Sequence, residues 1–154
     1  METTLLPQPD ECVILNSRMF NYEISTVYKA WTDPQWLALW WGPEGFTNTF
    51  NEYDLRAGGK WDFVMHSPDG KDFKNLSEFI LIEPGKRLVW NHITPPVFQI
   101  DVTFTETEPG STLVNFKMVF ETPEAAGNLR SFCLEKNEEN FDRLETVLEK
   151  MTNN

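Results

Sequence analysis

The sequence contains few of the residues that most catalytic and metal sites need. Among its 154 residues there are only two histidines and two cysteines. Cys12 and Cys133 are too few for a disulfide framework, and both lie in apolar patterns typical of buried free thiols. His66 and His92, with no cysteine cluster near them, do not match a zinc site. Since no catalytic triad or phosphate-binding loop is present either, we expect no metal, no cofactor and no reaction.

Basic residues and long apolar runs are also scarce. The chain has 13 Lys and Arg against 24 Asp and Glu, a net charge of −11, which argues against partners such as nucleic acid or anionic membranes. No stretch approaches the roughly 20 apolar residues of a membrane-spanning helix, and residues 1–11 lack the apolar run of a signal peptide. Together with the free thiols, this predicts a cytoplasmic protein without membrane insertion.

The length and composition fit one globular domain. Hydrophobic residues make up 40% of the chain and aromatic residues 14%, which argues against disorder. Residues 1–10 contain Pro7 and Pro9 and show no periodicity, so we expect a flexible N-terminal tail. Residues 11–154 contain no internal repeat and no linker, and we expect them to form a single domain.

Two short helices are predicted after a first strand, Cys12–Phe20. Ser25 is a suitable N-cap for a helix that ends at Trp31. The Asp-Pro pair at 33–34 predicts the start of a second helix, because a capping carboxylate precedes a proline at the first helical position. The Gly-Pro pair at 42–43 ends this helix. Its predicted inner face contains Trp36, Leu39 and Trp40.

From Phe46 onward the hydrophobic period changes from that of a helix to two residues. This alternation is typical of antiparallel strands with one buried face. Turns rich in glycine and proline separate the strands, which predicts a meander of hairpins. In segment 73–83, four consecutive residues from Phe79 to Ile82 are apolar, so its inner face stays unassigned and a β-bulge is one explanation. The inward positions elsewhere are Trp61, Phe63, Met65, Leu88, Trp90, His92, Phe98, Ile100, Val102, Phe104, Val114, Phe116, Met118 and Phe120.

A long C-terminal helix is predicted from the cap, proline and acidic residue at 122–124 to about Met151. Its apolar stripe is interrupted by Asn137 and Asn140. The order of strand, two short helices, six strands and long helix predicts an α+β helix-grip fold. In this fold a curved antiparallel β-sheet wraps around the C-terminal helix. The stripe consists of Leu129, Phe132, Cys133, Phe141, Leu144, Leu148 and Met151.

Four of the six tryptophans fall between Trp31 and Trp41. Tryptophan is bulky, and its N–H needs a partner when it is buried. We interpret Trp31 and Trp36 as packing that fixes the short helices. Trp40 and Trp41 stand next to the Gly-Pro break, where wall packing and cavity lining are equal alternatives, and we place both at the border of a cavity.

Three stretches of the sequence carry a family resemblance. They are residues 27–34 continuing to Trp-Trp-Gly-Pro at 40–43, Asp-Leu-Arg-Ala-Gly-Gly-Lys-Trp at 54–61 with Ser-Pro-Asp-Gly at 67–70, and Glu-Pro-Gly-Lys-Arg-Leu-Val-Trp at 83–90. Over about residues 12–150, the chain resembles the activator of heat-shock protein (HSP) ATPase homologue family (AHSA-like, AHA1). This family belongs to the START-like, or SRPBCC (Bet v 1-like), superfamily. The resemblance implies a cavity for hydrophobic or amphipathic small molecules, usually without a known reaction.

The sequence departs from the family pattern at two places. Tyr22-Glu23 stands where many relatives have Ala-Pro before the first helix. Asn137 stands near the position at which many bacterial relatives have Gly-Trp on the last helix. This second change puts a polar amide close to the expected cavity, so a relative's ligand preference does not transfer to this chain.

We expect a ligand to lie between the sheet and the C-terminal helix. His92 is either a core histidine bonded to a neighbour or the group that holds a ligand's polar end. Asn137 and Asn140 either anchor the ligand or turn to solvent, while Asp54 and Arg56 are interpreted as shaping a hairpin. The candidate ligand-binding residues are Trp40, Trp41, Trp61, Phe63, Met65, Trp90, His92, Phe98, Ile100, Phe116, Met118, Phe132, Asn137, Asn140 and Phe141.

Three functions compete. The first is binding of a small hydrophobic or amphipathic ligand, which follows from the inward aromatic residues and the resemblance. The second is a co-chaperone-like interaction module that activates a heat-shock protein ATPase in a stress response, with the acidic surface docking on a basic patch. The third is a cavity enzyme of the cyclase or hydrolase type that uses His92 as an acid or base. The sequence favours the first.

Overall fold

The computed structural model describes residues 5–153. Residues 1–4, which begin the predicted N-terminal tail, and residue 154 lie outside the described residues. One 3-10 turn, Asp10–Cys12, precedes the first strand. The strands and helices are β1 (Val13–Phe20), α1 (Ile24–Thr32), α2 (Pro34–Trp40), β2 (Thr47–Tyr53), β3 (Lys60–His66), β4 (Asp72–Glu83), β5 (Arg87–His92), β6 (Phe98–Glu108), β7 (Ser111–Val119) and α3 (Pro123–Thr152).

The seven strands form one antiparallel sheet in the order β1-β7-β6-β5-β4-β3-β2. Strands β2 to β7 are a meander of hairpins, and β1 completes the sheet by pairing with β7. The sheet is curved, and α3 packs against its concave side. The predicted α+β helix-grip fold, with two short helices after the first strand, is confirmed.

The inner face of the sheet carries the residues that the period of two predicted. Ile100, Val102, Val114 and Phe116 are all buried in the same hydrophobic core. In β4 the pairing register shifts between Phe79 and Leu81. This irregularity explains why the alternation fails there, because a bulge adds one residue to the strand and changes which side chains face inward.

The short helices differ from the sequence prediction in two details. Helix α1 begins at Ile24, two residues earlier than a Ser25 cap requires. Glu23 is the N-cap in extended conformation, and its side chain makes no capping hydrogen bond. Its carbonyl accepts from the N–H groups of Thr26 and Val27, 3.0 Å in each case. Ser25 therefore lies within the first turn, and predicting it as the cap was wrong.

Helix α2 has the predicted start but a different buried face. The Asp33 side chain accepts a hydrogen bond from the Gln35 N–H at 2.9 Å, and Pro34 occupies the first turn. The fully buried residues are Leu37 and Trp40, whereas Leu39 is 52% exposed. In a helix of two turns the pair at i and i+3 is enough to make the contact with the core, so including Leu39 in the inner face was wrong.

Helix α3 is held to β1 by charged and polar contacts beside its apolar stripe. Its N-cap Thr122 accepts from the Ala125 N–H at 3.2 Å. Arg18 of β1 forms ion pairs of 2.7 to 3.2 Å with three carboxylates of α3, and its guanidinium lies 5.4 Å from the ring of Phe141. These contacts fix how α3 lies across the sheet. The carboxylates belong to Glu138, Asp142 and Glu145.

The segment before β1 lies against β6. The backbone N–H of Leu6 donates to Gln99 Oε1 at 3.0 Å, and Gln8 Nε2 donates to Asp101 Oδ2 at 2.8 Å. Because Gln99 and Asp101 alternate with Ile100 along β6, they lie on the sheet face opposite to α3. None of the helices within residues 5–153 has both the length and the apolar character needed to cross a membrane.

Candidate functional site

A cavity of about 210 Å³ lies between the concave face of the sheet and α3. Its walls are mainly apolar and aromatic. Phe132, which is 61% exposed, marks the end that is open to solvent. Most of the predicted ligand-binding residues line it, namely Trp41, Phe63, Met65, Trp90, His92, Phe98, Ile100, Phe116, Met118, Phe132, Asn137 and Asn140.

Three of the predicted site residues, Trp40, Trp61 and Phe141, do not line the cavity. All three are almost completely buried in the core. The Trp40 indole N–H donates to the carbonyl of Ala30 at 2.9 Å, which turns the ring toward α1. Trp61 stacks on Phe63 with ring centroids 4.4 Å apart, and Phe141 packs edge-on against another core ring. They support the walls of the cavity from behind.

The aromatic wall of the cavity is built from several elements. Trp41, at the end of α2, lies 5.9 Å from the ring of Trp90 on β5 and 6.3 Å from that of Phe116 on β7. Such tilted and edge-on arrangements are favourable for aromatic pairs. Trp31 and Trp40 pack behind Trp41 with centroids 6.2 and 5.7 Å from it. The tryptophan-rich segment thus supplies one lining residue and its support.

Residues that the sequence interpretation missed also line the cavity. Asn75 and Ser77 belong to β4, whose inner face the irregular pattern left unassigned. Cys133 and Lys136 belong to α3 and precede the predicted Asn137 and Asn140 by four residues each, a spacing that places them on the same side of the helix. The full set of missed residues is Gly42, Pro43, Asn75, Ser77, Cys133 and Lys136.

The segment after α2 is held against α3 by Arg143. The guanidinium donates to backbone carbonyls of this segment at 2.8 to 3.5 Å. Burial lowers the pKa of Arg143, and no carboxylate forms an ion pair with it among the described residues. The accepting carbonyls are those of Leu39, Trp41, Gly42, Pro43 and Phe46.

Gly42 allows this segment to pass close to the sheet. Its φ is +103°, which residues with a side chain rarely adopt. A Cβ at this position would lie 2.6 Å from Cε of Met65. The Gly42 N–H donates to Asn140 Oδ1 at 3.1 Å. Together with Arg143, Asn140 therefore fixes the segment that carries Trp41.

His92 lies in the cavity wall with both ring nitrogens close to oxygen atoms. Nδ1 is 3.0 Å from the carbonyl of Pro96, and Nε2 is 2.8 Å from Asn75 Oδ1. The ring stacks on Phe98 at 4.7 Å. Burial lowers the pKa of His92, although the backbone hydrogen bonds raise it in part. A neutral imidazole follows at neutral pH, and in the described part of the chain no carboxylate is bonded to the ring that would orient it for acid–base work.

The two asparagines of α3 line the cavity and use only part of their hydrogen-bonding capacity on the residues that the structure describes. Asn137 Nδ2 donates to Asn16 Oδ1 at 2.9 Å and lies 3.5 Å from Sδ of Met118. Lys136 lies at the outer end, where its Nζ pairs with Glu139 at 3.2 Å. The amides therefore add polar groups to a wall that is otherwise apolar.

Asp54 and Arg56 lie outside the cavity. Arg56 Nε donates to Asp54 Oδ2 at 2.8 Å, and the pair is local to the turn between β2 and β3. A Cβ at Gly59 would lie 2.0 Å from the carbonyl oxygen of Asp54, so the turn requires glycine there. The interpretation of this pair as a hairpin feature is confirmed. Within residues 5–153, no group of three or more His, Cys, Asp or Glu side chains is arranged to hold a metal ion.

The fold is shared by solved bacterial proteins. A protein from Nitrosomonas europaea superposes with a TM-score of 0.85 at 22% identity, covering 95% of this chain and 99% of that one. A protein from Mycobacterium smegmatis superposes with a TM-score of 0.81 at 20% identity, covering 92% of this chain and 94% of that one. A protein from Staphylococcus aureus, described as of unknown function, superposes with a TM-score of 0.73 at 18% identity, covering 92% of this chain and 96% of that one. At these identities the likeness shows the fold.

The sequence itself identifies the family. None of the curated proteins compared with it matched. The family model described as activator of Hsp90 ATPase homolog 1-like protein matches residues 21–149, which is most of the chain. The matched region contains the whole meander, both short helices and nearly all of α3. The chain therefore belongs to the activator of Hsp90 ATPase homolog 1-like family, as the three resembling stretches predicted.

Proposed function

We propose that this protein binds a hydrophobic or amphipathic small molecule in the cavity between the sheet and α3. Membership of the family supports a ligand-binding or co-chaperone-like module. The observation that carries the choice is the cavity itself, a space of about 210 Å³ walled by tryptophan, phenylalanine and methionine side chains. Concave sites with apolar walls and a few polar groups are the usual places for small ligands.

The size of the cavity favours a compact ligand. Pockets for drug-sized molecules hold roughly 300–1,000 Å³, and this one is smaller. An apolar cavity of about 150 Å³ is large enough for benzene. A ligand of one or two rings, or the end of a longer chain, therefore suits the space better than a whole sterol.

The lining chemistry favours an apolar body with few polar groups. Burial of apolar surface contributes about 25 cal/mol per Å² before the costs of binding. His92, Asn137 and Asn140 bring hydrogen-bonding groups to the wall. These groups would orient a polar part of the ligand, while the aromatic rings would supply most of the affinity.

The proposal is tested by ligand titration. Native mass spectrometry of freshly purified protein would detect a co-purified molecule by its added mass. Tryptophan fluorescence is then titrated with fatty acids, sterols and polycyclic aromatic compounds, because Trp41 and Trp90 line the cavity. We expect saturable changes with the compact aromatic compounds. No bound mass and no fluorescence change with any compound would contradict the proposal.

A second candidate is the co-chaperone-like role that the family description suggests. It is supported by the family match and by the net charge of −11, which suits docking on a basic patch. The test is the ATPase rate of the Hsp90-type chaperone of the same organism, with and without this protein. Stimulation that salt suppresses would support this role, and an unchanged rate would contradict it.

The third alternative, a cavity enzyme that uses His92, has less support. The described partners of the His92 ring are a backbone carbonyl and an amide oxygen. A general acid or base is usually oriented by a partner that stabilises its charged form. The geometry of His92 therefore suits a hydrogen-bonding wall residue better than a catalyst.

A further inference from the structure

Ser77 is a buried polar residue in the wall of the cavity. It is only 1% exposed, and it lines the cavity. Its Oγ is buried and has no hydrogen-bond partner among the described residues. A buried hydroxyl without a partner costs about 1–3 kcal/mol, so such groups are rare in folded proteins. The hydroxyl therefore marks a place where a partner from outside the chain fits.

The position of Ser77 in the sheet explains why the cavity is there. Ser77 pairs with Trp61 of β3 on one side and with His92 of β5 on the other, and His92 pairs with Phe98 of β6. Residues paired in this way lie in one row across the same face of the sheet. Ser77 is the smallest side chain in this row. The floor of the cavity therefore dips at Ser77, between larger rings.

The charges around the cavity indicate which ligands fit. None of the described lining residues is Asp or Glu, so a cationic ligand would be buried without a counter-ion. The one ammonium group among them, Lys136, pairs with Glu139 and lies 5.7 Å from the ring of the exposed Phe132. An anionic group at Ser77 would face a single hydroxyl, which does not offset the loss of hydration.

We propose that Ser77 is the inner polar anchor of the cavity, and that the ligand is an uncharged ring compound whose hydroxyl or carbonyl oxygen hydrogen-bonds to the Ser77 hydroxyl. This inference rests on the proposed small-molecule binding. The flat ring lies between Trp41, Trp90 and Phe116, and its oxygen points to the floor. The hydroxyl of serine both donates and accepts, so a phenol, an alcohol or a ketone satisfies it.

The test uses two ligands that differ by one oxygen, naphthalene and 2-naphthol. Dissociation constants are measured by following the tryptophan indole N–H signals in two-dimensional NMR spectra of the wild type and of Ser77→Ala. We expect the preference for 2-naphthol over naphthalene to fall about three- to tenfold in the variant, as loss of one buried hydrogen bond implies. Naphthalene affinity should stay within about twofold of the wild type.

Two controls separate this effect from a structural one. Ser111 is a buried serine outside the cavity, and its Oγ donates to Asn21 Oδ1 at 3.4 Å. The control variant Ser111→Ala should keep the wild-type preference for 2-naphthol. Ser77→Ala should also unfold at or above the wild-type temperature, because it removes a buried hydroxyl that has no partner within residues 5–153. Loss of folding in Ser77→Ala would overturn the inference, since Ser77 would then have a structural role.

The outcomes of the titration are distinguishable. If both compounds bind and the preference for 2-naphthol is the same in the wild type and Ser77→Ala, the inference is overturned while the proposed binding function stands. The same holds if Ser77→Ala weakens both compounds equally. If no compound of the whole aromatic series binds the wild type, the proposed function fails, and this inference fails with it.

Discussion

His92 illustrates how single side chains set the chemical character of the cavity. Its two ring nitrogens face the Pro96 carbonyl and the Asn75 amide oxygen. A neutral ring has only one N–H to donate, so one of these contacts is weak, whereas a protonated ring could donate both. Burial opposes the charged form and lowers the pKa of His92. The ring therefore carries no charge into the cavity at neutral pH.

This lowered pKa predicts a pH dependence of stability. Because the pKa of His92 lies below its ordinary value of 6.5 in the folded protein, the unfolded chain binds the proton more tightly. The free energy of unfolding therefore decreases as the pH falls through 6.5, and the loss is complete below the folded pKa. His92→Gln should reduce this slope in urea unfolding between about pH 7 and pH 5. An unchanged slope would show that burial of His92 does not control it.

Tyr53 gives a second prediction at this scale. Its hydroxyl donates to the carbonyl of Thr32 at 3.0 Å, and burial raises its pKa well above the usual range. Tyr53→Phe should lower the free energy of unfolding by about 0.5–1.5 kcal/mol, because the Thr32 carbonyl loses its partner. Tyr22→Phe is the control, since the Tyr22 hydroxyl makes no hydrogen bond with the described residues. Equal effects in the two variants would argue against the bond.

Among the elements, α3 determines the position of the segment that carries Trp41. Asn140 and Arg143 are one turn apart on α3, and both hold backbone groups of residues 39–46. A planar guanidinium offers five N–H donors in a fixed fork, whereas an ammonium group offers three on a flexible stem, so arginine suits a set of several carbonyls better. The cavity wall thus depends on two side chains of a helix that lies about 100 residues further along the chain.

Arg143→Met tests this dependence. The variant keeps the length of the side chain and loses its hydrogen bonds, so it should lower the free energy of unfolding by about 2–4 kcal/mol in denaturant titrations. Arg143→Lys should be intermediate. Arg56→Met is the matched control, because Arg56 is exposed in a turn, and it should change stability by less than about 0.5 kcal/mol. An Arg143→Met variant as stable as this control would show that the Arg143 hydrogen bonds do not stabilise the segment after α2.

The boundaries of most elements could be predicted because local chemistry fixes them. The Asp-Pro pair at 33–34 and the Thr-Pro pair at 122–123 start helices through caps and a fixed φ. The face of α2 could not be predicted, because whether Leu39 or Leu37 turns inward depends on what packs against the helix. The inner face of β4 could not be assigned for a similar reason, since its bulge is a property of the pairing with β5.

At the scale of the whole molecule, the cavity is formed by side chains that lie far apart in the sequence. The period of two could predict that Phe63, Trp90 and Phe116 face inward, and they line the cavity. It could not predict that Trp61 and Trp40 lie behind these walls, because depth depends on how the layers stack. Ser77 escaped prediction because no pattern in sequence reveals a small residue between larger rings in a sheet.

The most direct test of the central claim is to fill the cavity and measure binding. Cys133 lines the cavity from α3, so Cys133→Phe should occupy the space, while Leu134→Phe changes the adjacent residue, which does not line it. Titrated with naphthalene, the wild type and Leu134→Phe should bind alike, and Cys133→Phe should bind at least about tenfold more weakly without loss of thermal stability. Binding to a folded Cys133→Phe with wild-type affinity would show that the ligand site lies elsewhere.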